Sequence, residues 1–240
     1  MEIRRLWFGG VFIEDRPKVT KGLLGQSGVE QVGYLSDDLG SPAFTMMGNE
    51  LSVNGLLAAA KDLRLPDGNI LGVGGLVVGF RNTPGETSIT VPLKYEIEKR
   101  ENEVVVVFGA MGYIVSPAEP RMNNLKKCMR EQCEVRKLPA FGYVWSYLNL
   151  IRPYVYVKET DSLVAETACG SGSVAAYIAA SMGGLQAPAD VVQPSGNTIT
   201  VWLRDRAEQI FTISAAVSEK GGTKSYSATQ FTPEYLFYCE

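Results

Sequence analysis

Two short alanine-rich segments constrain this chain more than anything else in it. They are NGLLAAAKDL at 54–63 and SGSVAAYIAASM at 171–182. Each has helical composition and almost no polar side to show to water. A helix that is apolar all round is buried rather than laid on a surface, so each must be wrapped by other structure. The wrapping material is strand. Segments 4–14, 29–36, 43–47, 70–80, 87–98 and 103–115 are rich in Val, Ile and aromatic residues or bounded by turn residues. The same holds for 139–147, 153–158, 191–193, 197–203 and 209–216, and YLFYC near the end reads as a last strand. A turn-rich stretch separates the first two strands, and 123–133 reads as a further helix. The expected class is α+β, with two strand-rich lobes, each built around one alanine-rich helix. The Pro-containing segment SPAEPRMNN suggests the division: a first lobe over 1–118, a second over 119–227, and a tail, 228–240, whose strand could return to the first lobe.

The two helices also match each other. An offset of 117 residues places Ser52 on Cys169, Asn54 on Ser171, Gly55 on Gly172, Ala58 on Ala175 and Ala59 on Ala176. Alanine helices match easily, so this is weak evidence for a repeat. Its value is positional: a hydroxyl and a thiol stand at equivalent points, each just before a helix.

Those points have chemical potential. The first N–H groups of a helix have no internal partner and its start favours negative charge. Cys169, followed by Gly170, Ser171, Gly172 and Ser173, is therefore a candidate acid or base near neutrality. The alternative is a buried structural cysteine under a glycine-rich cap. Ser52 or Asn54 is equally readable as a plain helix cap. A serine hydroxyl is a poor base, and the chain has no histidine to activate it. The absence of histidine also removes Ser-His-Asp and Cys-His systems and every His-containing metal site. The other cysteines, Cys128, Cys133 and Cys239, lack the spacing of a zinc knuckle. GVGGLVVG at 72–79 lacks the order of a dinucleotide fingerprint. A net charge of -3 and no long basic tract make nucleic acid an unexpected partner. The apolar runs are too short for a signal peptide or a membrane span, so a cytoplasmic protein with no membrane partner is expected. Arg152 could meet an acidic substrate side chain.

GNELSVNG, ETACGSGSVAA and VVQPSGNTITV, in that order, resemble the diaminopimelate epimerase superfamily. EQVGYL at 30–35, GNE at 48–50, VYVKETDSLVAETACGSG at 155–172 and QPSG at 193–196 look like its histidine racemase-like branch, which supplies a D-amino acid for metallophore synthesis. The resemblance implies two pseudo-symmetric lobes, each a curved β-sheet or barrel around a central helix, and a site where they meet. It implies an amino-acid racemase or epimerase working without metal or pyridoxal cofactor, and it allows a homodimer. In the family, two cysteines face opposite sides of the α-carbon: a thiolate removes the α-proton and a thiol returns one. Carried over, Cys169 is the second-lobe cysteine and main base, with Ser52 on the opposite face. Asn54 with Gly55, and Gly170 through Ser173, would cradle the free α-carboxylate of the amino acid. Glu50 and Glu166 could hold its amine.

Ser52-Val53-Asn54 stands where the family has Cys-Gly-Asn. Three readings follow. One is an isomerase with a single thiol. The second is a dehydratase of β-hydroxy amino acids, as in related enzymes where a hydroxyl residue replaces one cysteine. The third is a non-catalytic relative that binds an amino acid or a partner protein.

Overall fold

The two alanine-rich segments are helices and both are buried. In a computed structural model that describes residues 2–8, 16–24, 30–36, 42–46, 48–182, 189–219, 224–226 and 234–239, α2 spans Val53–Asp62 and α4 spans Gly170–Ser181. Every residue of α2 except Lys61 is buried, as is α4 from Gly170 to Ile178. Two other helices are described. α3, Met122–Arg136, buries only Leu125, Met129 and Cys133, the spacing of a surface helix with one inward stripe. α1, Arg16–Leu24, falls where turns were expected. Pro17 and Gly22 suggest a turn, but Pro17 occupies the first helical turn, where its missing N–H costs nothing.

The strands form one mixed sheet that wraps α2 and α4 in turn. In the first half, β2 (Gln31–Ser36) and β3 (Ala43–Met46) form a hairpin. α2 follows, then the meander β4 (Asp67–Leu71), β5 (Val77–Thr83) and β6 (Glu86–Pro92). In the second half, β10 (Ala140–Tyr147) and β11 (Leu150–Val157) form the hairpin. After β12 (Ser162–Ala165) and α4 comes the meander β13 (Ala189–Val192), β14 (Thr198–Asp205) and β15 (Ile210–Ala215). The parallel contacts that bridge each helix correspond. Leu71 N donates to Pro42 O and Val192 N to Asn149 O, both at 2.8 Å. The halves then join through their equivalent strands, β6 and β15, antiparallel with Ile89 opposite Ile213. The fold is thus α+β and pseudo-symmetric, as the sequence implies.

β7 (Tyr95–Lys99), β8 (Val104–Phe108) and β9 (Met111–Ser116) form a meander that pairs through β9 with β10. β8 and β9 pack on α4. β1 (Glu2–Phe8) pairs with β16 (Ser218–Glu219), β17 (Lys224–Tyr226) and β18 (Glu234–Cys239), and β18 lies between β1 and β2.

Three segments break where single strands were expected, and that over 87–98 parts at Leu93 and Lys94 into β6 and β7. The run over 70–80 turns at Val73–Gly75, with Gly74 at φ 67° and Gly75 at φ 79°. The run over 103–115 turns at Gly109, φ 56°. Glycine takes these left-handed angles at no steric cost. The far part of the 4–14 segment and most of QAPAD lie outside the described residues.

Candidate functional site

The two buried helices meet at their N-termini. A Cβ on Gly170 would stand 2.5 Å from Val53 Cγ1, so only glycine allows this approach. Ser52 caps α2: its Oγ accepts from Gly55 N at 3.0 Å. Cys169 caps α4 in the same way, its Sγ accepting from Gly172 N at 3.2 Å.

A second layer of bonds crosses between the halves. Gly170 N donates to Asn54 Oδ1 at 2.8 Å, and Asn54 Nδ2 donates to Ala168 O at 2.6 Å. Reciprocally, Val53 N donates to Ser171 Oγ at 3.1 Å. Each helix start is therefore filled by a side chain of the other. The N–H groups of the expected carboxylate cradle are largely engaged here by the protein itself. Gly55 N and Gly172 N hold the caps, Gly170 N holds Asn54, and Ser173 N donates to Cys169 O. Gln193, from the QPSG motif, fixes α4 further. Its Oε1 accepts from Cys169 N at 2.8 Å and its Nε2 donates to Ser173 Oγ at 2.9 Å.

Beside this junction lies a small cavity. Its walls include Glu30, Gln31, Glu50, Ser52, Tyr113 and Glu166, closed by apolar residues such as Val32, Met46, Leu51 and Met111. No Lys or Arg is among the described lining residues. The cavity's accessible volume is about 40 Å³, room for only a few waters.

The carboxylates dominate its electrostatics. Glu50 and Glu166 are both buried, and each leaves its Oε2 without a hydrogen-bond partner. Loss of water pushes both carboxyls up, each to about 7. Backbone N–H groups of Gly48 and Glu50 partly offset the rise at Glu50. Bonds from Cys169 and Gln31 do so at Glu166, while the charges of Glu30 and Glu50 add to it. Glu30 is raised as well, mainly by burial, against the pull of Thr167 N, which donates to both its oxygens at 3.1 and 2.9 Å.

Cys169 is a thiol, not a thiolate, at neutrality. Burial first, then the Glu166 charge, lift it well above the usual cysteine range. Its neighbours are Glu166 and Tyr113, whose hydroxyl lies 3.5 Å from Sγ. Tyr113 is likewise pushed well up by burial. The Cys169 side chain sits behind the cavity wall, which is lined here by Tyr113, Glu166 and Ser171.

Gln31 ties the halves together. Ser52 Oγ donates to its Oε1 at 2.8 Å, and its Nε2 donates to Glu166 Oε1. A continuous chain thus runs Ser52, Gln31, Glu166, Cys169, Tyr113. Gln31 and Glu30 belong to the EQVGYL motif, but nothing in spacing announces that they reach residues 135 and 137 positions away. Tyr113 carries no sequence signal at all. Arg152 lies elsewhere, pairing with Glu119 at 3.0 Å and stacking over Trp145. Among the described residues, no group of three or more His, Cys, Asp or Glu is arranged to hold a metal, and no helix is long and apolar enough to cross a membrane.

Neither a family model nor a curated protein matches the sequence. Solved structures do match. One is a putative phenazine biosynthesis PhzC/PhzF protein from Clostridium difficile strain 630. It is 11% identical with a TM-score of 0.54, over 90% of this chain and 88% of that one. Another is a phenazine biosynthesis protein of the PhzF family from Enterococcus faecalis. It is 10% identical with a TM-score of 0.56, over 89% of this chain and 88% of that one. At these identities the likeness is one of fold. The narrower likeness to the histidine racemase-like branch rests on the motifs alone.

Proposed function

We propose that this chain, whose fold is that of the diaminopimelate epimerase-like class shared with the PhzF proteins, is an isomerase that moves a proton at the α-carbon of a small amino acid. The observation that carries the reading is the cavity at the meeting of the two helix starts. It presents two buried carboxyls, each with an unpartnered oxygen and a pKa of about 7. Acid–base groups work best when their pKa lies near the operating pH.

Three parts of the task fall to this chain's own residues. The acidic wall, Glu30 included, suits an ammonium group. The helix starts suit a carboxylate. For a carboxylate to reach them, the Asn54 and Ser171 side chains must swing aside, which also enlarges the small cavity. The proton acceptor of the second half is the pair Cys169 and Glu166. Glu166 takes the thiol proton, leaving a thiolate; the thiolate then takes the α-proton and becomes a thiol again. Preorganised donors around the developing carbanion lower its cost. No metal or pyridoxal cofactor is needed in this scheme.

A second reading has its own support. The Ser52 hydroxyl is occupied on both sides, by Gly55 N and by Gln31, so the first half lacks a free group at the place of the family's cysteine. That favours a relative that binds an amino acid without turning it over. The test is α-proton exchange in heavy water, followed by NMR over a panel of L- and D-amino acids. Exchange abolished by Cys169→Ala supports the isomerase. A folded sample that exchanges nothing but is stabilised by an amino acid supports the binding relative.

A further inference from the structure

Ser52 stands where a second acid–base group is expected, yet its hydroxyl has no freedom to act as one. Its proton points to Gln31 Oε1 at 2.8 Å, and a lone pair takes Gly55 N at 3.0 Å. Moving it would unmake the cap of α2. Two residues earlier lies Glu50. Its side chain is buried, it lines the same cavity as Glu166, and its Oε2 has no partner. Glu166 stands three residues before the other cap, with the same unpartnered Oε2. Each half thus delivers one buried carboxyl, from the loop before its central helix, to one shared cavity. The two are close enough for the charge on Glu50 to act on Glu166.

We propose that Glu50 is the acid–base group of the first half, facing the Glu166 and Cys169 pair across the substrate, and that Ser52 serves only to cap α2 and hold Gln31. This rests on the proton-transfer reading above. The step balances with one proton in play. The Glu166 and Cys169 pair, lacking a proton, takes the α-proton from one face; protonated Glu50 gives its proton to the carbanion on the other. The product leaves with inverted configuration, Glu50 is a carboxylate, and the second-half pair holds the proton. The reverse turnover, or exchange with water, restores the starting state. Two carboxyls with pKa values near neutrality suit this sharing, because one is protonated while the other is not.

The test measures two quantities on the full chain in heavy water near pH 7.5, with the panel of L- and D-amino acids: inversion of configuration, and deuterium uptake at the α-carbon. Wild type is expected to show both. In Glu50→Gln, inversion is expected to fall at least about 100-fold. Deuterium uptake should persist for the one enantiomer whose α-proton faces Glu166 and Cys169, now without inversion. A merely structural role for Glu50 would lower both in proportion, and that result overturns the proposal. So does unchanged inversion in Glu50→Gln. Should Glu50→Gln fail to fold by circular dichroism, Glu50→Asp keeps the carboxyl but withdraws it, and must depress inversion more than uptake. A wild type that neither inverts nor exchanges any amino acid sinks the underlying reading together with the proposal. An active wild type with an indifferent Glu50→Gln sinks the proposal only.

Discussion

The two buried carboxyls make the stability of this protein depend on pH in a direction opposite to that of an ordinary salt-bridged acid. Glu50 and Glu166 each go from a usual value of 4.5 to about 7 on folding, chiefly by loss of water. Between those values the folded chain binds more protons than the unfolded chain, so stability falls as pH rises. A tenfold change in proton affinity corresponds to about 1.4 kcal/mol. Each group therefore contributes about 3 kcal/mol that is fully present below pH 4.5 and lost as pH climbs through 7. Glu30, also raised by burial, acts in the same direction. Against a typical total of roughly 5–15 kcal/mol, this is a large share. The perturbation is the double variant Glu50→Gln with Glu166→Gln, which keeps shape and removes both titrations. The assay is the urea midpoint at pH 5, 6, 7 and 8. With a slope of about 3 kcal/mol per molar urea, each carboxyl is worth about 1 M in midpoint. The wild-type midpoint should drop steadily across the series, and the double variant should drop much less. A wild-type midpoint that is level or rises from pH 5 to 7, or a double variant with the wild-type slope, would refute the assignment of these groups as buried and uncompensated.

Two further outcomes follow from the helix junction. Asn54→Ala should destabilise the chain by about 2–4 kcal/mol in urea unfolding, because it leaves Gly170 N and Ala168 O buried without partners; a loss under about 1 kcal/mol would show that water takes over both bonds. Cys169 should resist iodoacetamide at pH 7.5 in the native state, being 2% exposed and held as a thiol by burial, while the partly exposed Cys128 is modified ahead of it. Peptide mass mapping separates the two, and rapid native labelling of Cys169 would contradict its place behind the cavity wall.

How far the sequence discloses this arrangement depends on whether a feature is local. The central helices are legible because alanine runs with few polar residues leave no alternative to burial. The caps are legible because a short polar residue directly before such a run has one obvious place. Glu50 and Glu166 are visible through their nearness to those caps. α1 is not legible, because Pro17 and Gly22 carry turn signals whose effect depends on their position within the helix. The break between β4 and β5 is hidden in a run of apolar residues. Gln31, Tyr113 and Gln193 act through partners 135, 56 and 24 positions away, brought near by the fold, and no periodicity encodes such contacts.

The reciprocal clasp explains why the carboxyls can remain so close. A helix start carries about half a positive charge, and two such ends meet here. Asn54 and Ser171 take the crossing N–H groups, and the caps take the next ones, so each helix end is satisfied without a carboxylate. Neither Glu50 nor Glu166 is needed as a cap, and neither gains a full set of donors. Burial then keeps both pKa values high, each about 7, with no donor on the second oxygen to bring them down. Were a carboxylate of this chain to cap either helix, that group would be lowered and fixed as an anion. The uncharged caps at positions 52 and 169 thus satisfy the helix ends and leave the nearby acids free to titrate.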